Sequence, residues 1–134
     1  MLVVEDNEAD VLLIREAIEA ENPGVTIDVV EDGDQAVRLF DQLEEATSMP
    51  SPDLVILDIN LPKRQGGEVL EHLRQSRRFH NVRALVVSTS DSARDREQMA
   101  ELGADGYFKK PSDYDAFMSL GNIVRNMLAN DKPA

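Results

Sequence analysis

The chain has no cysteine, so disulfides and thiolate metal sites are excluded. It has no apolar stretch approaching the roughly 18–20 residues needed to span a bilayer. Glu5 and Asp6 interrupt its first apolar run too early for a cleavable signal, which leaves a cytoplasmic location as the expectation. Basic residues are scarce: 14 Lys and Arg stand against 26 Asp and Glu, for a formal net charge of −12. Binding to phosphate backbones needs a basic face, so neither nucleic acid nor a membrane surface is an expected partner. No glycine-rich nucleotide motif is present, so the chain is not itself a kinase. Repeats and low-complexity tracts are missing too.

What is present is a chain of 134 residues, 42% hydrophobic and 30% charged, which suits one globular domain with a sizeable core over residues 1–134. Strand-like runs at 1–4, 25–30, 54–57, 84–87 and 106–109 alternate with amphipathic stretches. The stretches are marked by Val11, Ile14 and Ile18, by Ala36, Val37, Phe40 and Leu43, by Val69, Leu70 and Leu73, by Met99 and Leu102, and by Phe117, Leu120, Val124 and Leu128. These stripes are expected to pack the core. Turn chemistry agrees: Asn22-Pro23-Gly24 stops the first helix, Asp32-Gly33 opens the second, Gly103 ends the fourth, and Ser112 or Asp113 caps the fifth. Residues 47–52 read as a loop, and 130–134 as a frayed tail. Alternating strands and helices predict an α/β fold with a doubly wound, five-stranded parallel sheet flanked by five helices. The first strand begins at residue 1 with almost no lead-in, which leaves room for a natural chain that starts earlier.

In such a sheet the carboxyl ends of the strands share one edge, where ligands bind. Those ends carry Glu5-Asp6, Asp58, Ser88 and Lys110. Three converging carboxylates repel one another, and a divalent cation such as Mg²⁺, which takes oxygen ligands, relieves the repulsion. A carboxylate like Asp58 can attack phosphorus to give an acyl phosphate. A cation and the Lys110 ammonium can neutralise the oxygens of the transferring group, and the Ser88 hydroxyl can hydrogen-bond one of them. Lys109 is expected to point the other way, because strand side chains alternate. His72 and His80 read as surface residues outside this set.

The sequence resembles a receiver domain of a two-component response regulator, over essentially its whole length. The resemblance rests on Val3-Val4-Glu5-Asp6-Asn7, on the run from Asp53 through Asp58 to Pro62, on Gly66, on Val86-Val87-Ser88-Thr89, and on the run from Gly103 to Pro111. It implies a flavodoxin-like fold with strand order 2-1-3-4-5, an order the general rule for these folds already gives for this family. It implies that Asp58 accepts a phosphoryl group from a sensor histidine kinase or phosphotransfer protein. Glu5, Asp6, Asp58 and the Asn60 backbone carbonyl are implied ligands of Mg²⁺. Ser88 is implied as the switch hydroxyl and Lys110 as the phosphoryl salt bridge, followed by a cis bond to Pro111. Tyr107 is implied as an aromatic switch, exposed without phosphate and inward with it. The face of the fourth helix, fifth strand and fifth helix is implied to bind a downstream protein or a second copy of the chain. Serine at 88 and threonine at 89 depart from the commonest pattern without removing a functional group. The long segment 44–52 is similar to that of single-domain regulators paired with bacterial phytochrome kinases.

Two other readings compete. A pseudo-receiver would be an interaction module that never takes phosphate, against which the intact acidic residues, Ser88 and Lys110 argue. An aspartate-nucleophile phosphatase would need a second Asp two residues after Asp58, where Asn60 stands. The chain is therefore expected to be a signalling switch rather than an enzyme.

Overall fold

The computed structural model describes residues 1–130. Five strands, β1 (Leu2–Val4), β2 (Asp28–Val30), β3 (Leu54–Leu57), β4 (Arg83–Ser88) and β5 (Gly106–Lys109), form one parallel sheet in the order β2-β1-β3-β4-β5. The helices are α1 (Glu8–Glu21), α2 (Gly33–Glu45), α3 (Gly66–Gln75), α4 (Ala93–Glu101), α5 (Tyr114–Met118) and α6 (Leu120–Ala129). The flavodoxin-like receiver arrangement expected from the resemblance is the one observed.

Strand periodicity sorts the core into two layers. Leu2, Val4, Val55, Leu57, Ala84 and Val86 face α2, α3 and Met99 of α4. Their neighbours Val3, Leu54, Ile56, Leu85, Val87 and Phe108 face α1, α5 and α6. Consecutive residues point to opposite faces, so the central strands β1 and β3, covered by helices on both sides, are apolar at every position. Paired rings anchor both layers: Phe40 meets Phe79 in a tilted pair at 5.5 Å between centroids, and Phe108 meets Phe117 edge-on at 5.9 Å. Burying one such side chain is worth about 2–3 kcal/mol.

Helix starts follow the expected chemistry. Asn7 accepts from the Asp10 amide at the start of α1, Asp32 from Gln35 at α2, and Asp113 from Ala116 at α5. Asn22 caps the end of α1, and Gly103 (φ 103°) follows α4 in the left-handed region that glycine tolerates. Ser92 caps α4.

Three expectations need correction. The second strand is confined to Asp28–Val30, because β1 offers it only Leu2, Val3 and Val4 as ladder partners. The fifth helical segment is divided at Ser119 into α5 and α6. There the Ser119 amide and hydroxyl both donate to the Ala116 carbonyl, at 3.2 and 2.6 Å, which tightens the turn. Leu128, expected in the core stripe, is 36% exposed, while Phe117, Leu120 and Val124 are buried. The expected frayed tail lies, from residue 131 on, outside the described residues. Among the described residues, no helix is long and apolar enough to cross a membrane.

Candidate functional site

The site forms where the parallel ladder ends. Asp58 follows directly on β3, and its amide donates to the Val4 carbonyl at 3.2 Å, which ties it to the end of β1. Glu5 follows β1, and its amide donates to Val30 at the end of β2. The Lys110 amide donates to the Ser88 carbonyl at 2.7 Å, extending the β4–β5 pairing by one step. Backbone hydrogen bonds thus bring residues from distant parts of the chain to one edge. Glycine at 66 makes room for this edge: a Cβ there would lie 2.1 Å from the Asp58 carbonyl oxygen, and the Gly66 amide donates to Ile59 at 2.8 Å.

At the centre is the Lys110 ammonium. It donates to Glu5 Oε2 at 3.0 Å, to Asp58 Oδ2 at 3.0 Å and to Asp10 Oδ2 at 2.8 Å. Its side chain is 5% exposed, and those of Glu5, Asp58 and Asp10 are 2%, 12% and 25% exposed. The other Asp58 oxygen accepts from the Ile59 amide at 2.7 Å. Burial works against the Lys110 charge, yet the hydrogen bond to Asp10 and the charges of Asp58 and Glu5 outweigh it and raise its pKa. Burial pushes the Glu5 carboxyl up to about 7, against the lowering pull of Lys110. Lys109 points away from the site and reaches Asp91 Oδ2 at 3.7 Å.

Glu5, Asp6 and Asp58 each offer a carboxylate oxygen within 4.8 Å of one another, with Asp6 exposed and Asp58 half-buried. An all-oxygen set with one solvent-facing member suits Mg²⁺, which keeps several of its waters. The donor chemistry fits the ion. Asn60 stands exposed two residues past Asp58. Ser88 is fully buried at the end of β4, and its hydroxyl accepts from the Ser90 amide at 3.2 Å.

Ser90 connects this hydroxyl to Tyr107. The Tyr107 hydroxyl donates to the Ser90 carbonyl at 2.9 Å, and the Arg96 guanidinium lies 4.5 Å from the ring centroid. The Ser90 hydroxyl bonds the Asp95 carboxylate. Of the two arrangements expected for Tyr107, exposed and inward, the structure shows a half-buried ring held inward. The expected cis bond before Pro111 is corrected as well: among the described residues every peptide bond is trans, the intrinsically lower-energy isomer even before proline. His72 lies on the surface as expected, where its Nε2 meets Asp41 Oδ1 at 2.9 Å in an exposed pair.

Asp10 was invisible to sequence reasoning. It reads there as one of several first-turn acids of α1, a common helix-start feature. Only the docking of α1 against α5 and α6 turns it toward Lys110, 100 residues away.

A family model described as response regulator receiver domain matches residues 1–120. The response regulator Rcp1 of Synechocystis sp. is 32% identical over 110 residues, covering 82% of this chain and 75% of Rcp1. The transcriptional regulatory protein CpxR of Escherichia coli is 35% identical over 126 residues, covering 93% of this chain and 49% of CpxR. The chain thus spans three-quarters of the first relative and about half of the second. Among solved structures, the phosphorylated cyanobacterial phytochrome response regulator RcpA superimposes with a TM-score of 0.85 at 29% identity, covering 96% of this chain and 91% of RcpA. The Mn²⁺-bound form of Rcp1 gives 0.84 at 30% identity, covering 99% and 97%.

Proposed function

This chain belongs to the response regulator receiver family, and we propose that it is a phosphorylation-controlled switch in which Asp58 is the phosphoacceptor. Residues 1–134 act as one receiver domain. The observation that carries this reading is the Lys110 ammonium, 3.0 Å from Asp58 Oδ2 at the end of a buried parallel strand. The donor is a sensor histidine kinase or a phosphotransfer protein, and the likeness to RcpA favours a phytochrome-type kinase.

In the transfer, an Asp58 carboxylate oxygen forms a bond to phosphorus while the phosphorus–nitrogen bond of the donor phosphohistidine breaks. The imidazole leaves with that electron pair. Lys110 holds the carboxylate in place beforehand and afterwards meets the added charge. Glu5, Asp6, Asp58 and the Asn60 carbonyl would hold a Mg²⁺, which would supply positive charge to neutralise the phosphoryl oxygens. The phosphoryl group adds roughly two negative charges and strong acceptor oxygens. The Ser88 hydroxyl, already the acceptor of the Ser90 amide, can turn to donate to one of them. Ser90 also anchors Tyr107, so movement there changes the face of α4, β5 and α5. That face binds a downstream protein or a second copy of the chain. With Asn at position 60, the acid/base partner that a phosphatase would need is missing.

The test is labelling by acetyl phosphate with Mg²⁺, read by intact mass. The wild-type chain gains one phosphoryl group, and Asp58→Asn gains none. Equal labelling of the variant removes Asp58 from the role.

A further inference from the structure

The Lys110 ammonium has three hydrogens, and all three are engaged: Glu5, Asp58 and, at the shortest distance, Asp10. The proposed chemistry uses the first two residues and leaves Asp10 without a part. Asp10 stands in the first turn of α1, outside the acidic pair, with its amide held by Asn7 Oδ1 at 3.0 Å. Its backbone is therefore fixed independently of its side chain. The side chain is 25% exposed, against 41% for Asp34 in the first turn of α2, and it reaches over to a lysine that is 5% exposed.

We propose that Asp10 is a positioning residue that tethers Lys110 to α1 and sets how firmly the site holds a phosphoryl group on Asp58. The inference rests on the phosphoacceptor reading and extends it. An incoming phosphoryl group needs a Lys110 hydrogen, and it competes for the ammonium with an ion pair already made. Charge-assisted hydrogen bonds of this kind are about twice as strong as neutral ones. The Asp10 carboxylate also repels the added negative charge at close range, in a site that already gathers Glu5, Asp6 and Asp58. Both effects oppose phosphorylation, and both disappear when Asp10 is neutralised. Asparagine is isosteric, keeps the α1 backbone contact to Asn7, and can offer Lys110 only a neutral oxygen.

The experiment compares the wild-type chain, Asp10→Asn and Glu8→Gln, using acetyl phosphate and Mg²⁺ as the probe. Glu8 shares the first turn and its neutralisation changes net charge equally. Asp10→Asn is expected to raise the steady-state ratio of phosphorylated to free chain by about tenfold, the factor that loss of one charged hydrogen bond gives. It is also expected to lengthen the acyl phosphate lifetime, with Glu8→Gln within about twofold of wild type. An Asp10→Asn ratio at or below wild type, or an equal rise in Glu8→Gln, overturns the tether. Urea unfolding of the same three proteins excludes a folding defect as the source of any loss. If the wild-type chain is not labelled at Asp58 at all, it is the phosphoacceptor reading that fails.

Discussion

Replacing Lys110 by methionine removes the one cation at the centre of the site while keeping its apolar stem. Breaking a buried ion pair from one side ordinarily costs about 3–5 kcal/mol, because it strands a charge. Here the stranded charges differ in their access to water. Asp10 and Asp58 are 25% and 12% exposed and keep part of their hydration, whereas Glu5 is 2% exposed. Burial already lifts Glu5 from 4.5 to about 7, so without Lys110 it rises further and takes up a proton near neutral pH. Protonation limits the penalty, and the expected loss is about 2–3 kcal/mol, below the usual range. At about 4 °C per kcal/mol for a domain of this size, the melting temperature falls by about 8–12 °C. The sign with pH follows from the raised carboxyl. A Glu whose folded pKa exceeds its unfolded value costs stability progressively above that unfolded value, until the folded pKa is passed. In the wild-type chain this cost stops growing near 7, and in the variant it continues to grow. The gap between the two proteins therefore widens as pH rises from about 6 into the range above 7. Urea or thermal melts across that range, without added metal, measure it. A variant within about 0.5 kcal/mol of wild type, or a gap that narrows as pH rises, refutes the account of Lys110 as the group that makes this acidic edge tolerable.

Two further substitutions probe how the site is held. Gly66→Ala puts a Cβ 2.1 Å from the Asp58 carbonyl oxygen, so the backbone must move; a loss of about 1–3 kcal/mol in urea unfolding together with reduced acetyl phosphate labelling is expected, and unchanged stability would mean the close approach is not real. The amide of Gln35 and the charge of Lys63 hold the Asp32 carboxyl below its ordinary value. Asp32 thus adds stability above about pH 4 that is lost as pH falls through its folded pKa, so Asp32→Asn, which still caps α2, should show a shallower loss of stability in acid than wild type, and equal slopes would count against that role.

Much of this protein was determined by local pattern. Apolar runs such as Leu54–Leu57 ending in Asp58 encode a strand covered on both faces with a carboxylate at its carboxyl end, because a parallel sheet between helix layers demands an apolar residue at every position. Asp32 and Asp113 carry their cap roles in their side-chain chemistry and Gly103 its turn role in its free backbone, so those boundaries are legible from a few neighbouring residues. The set Glu5, Asp6, Asp58 and Lys110 is likewise legible, since the topology of a doubly wound sheet sends the ends of its strands to one edge. What local pattern could not decide are the contacts made across the fold. The short β2 depends on how many ladder partners β1 presents. The inward Tyr107 depends on where the loop after β4 puts the Ser90 carbonyl and where α4 puts Arg96. Asp10 becomes the third partner of Lys110 only because α1 packs against α5 and α6, the helices that follow Lys110. A hydrogen bond between residues 100 apart is set by the relative placement of whole elements, and no spacing within either segment records it.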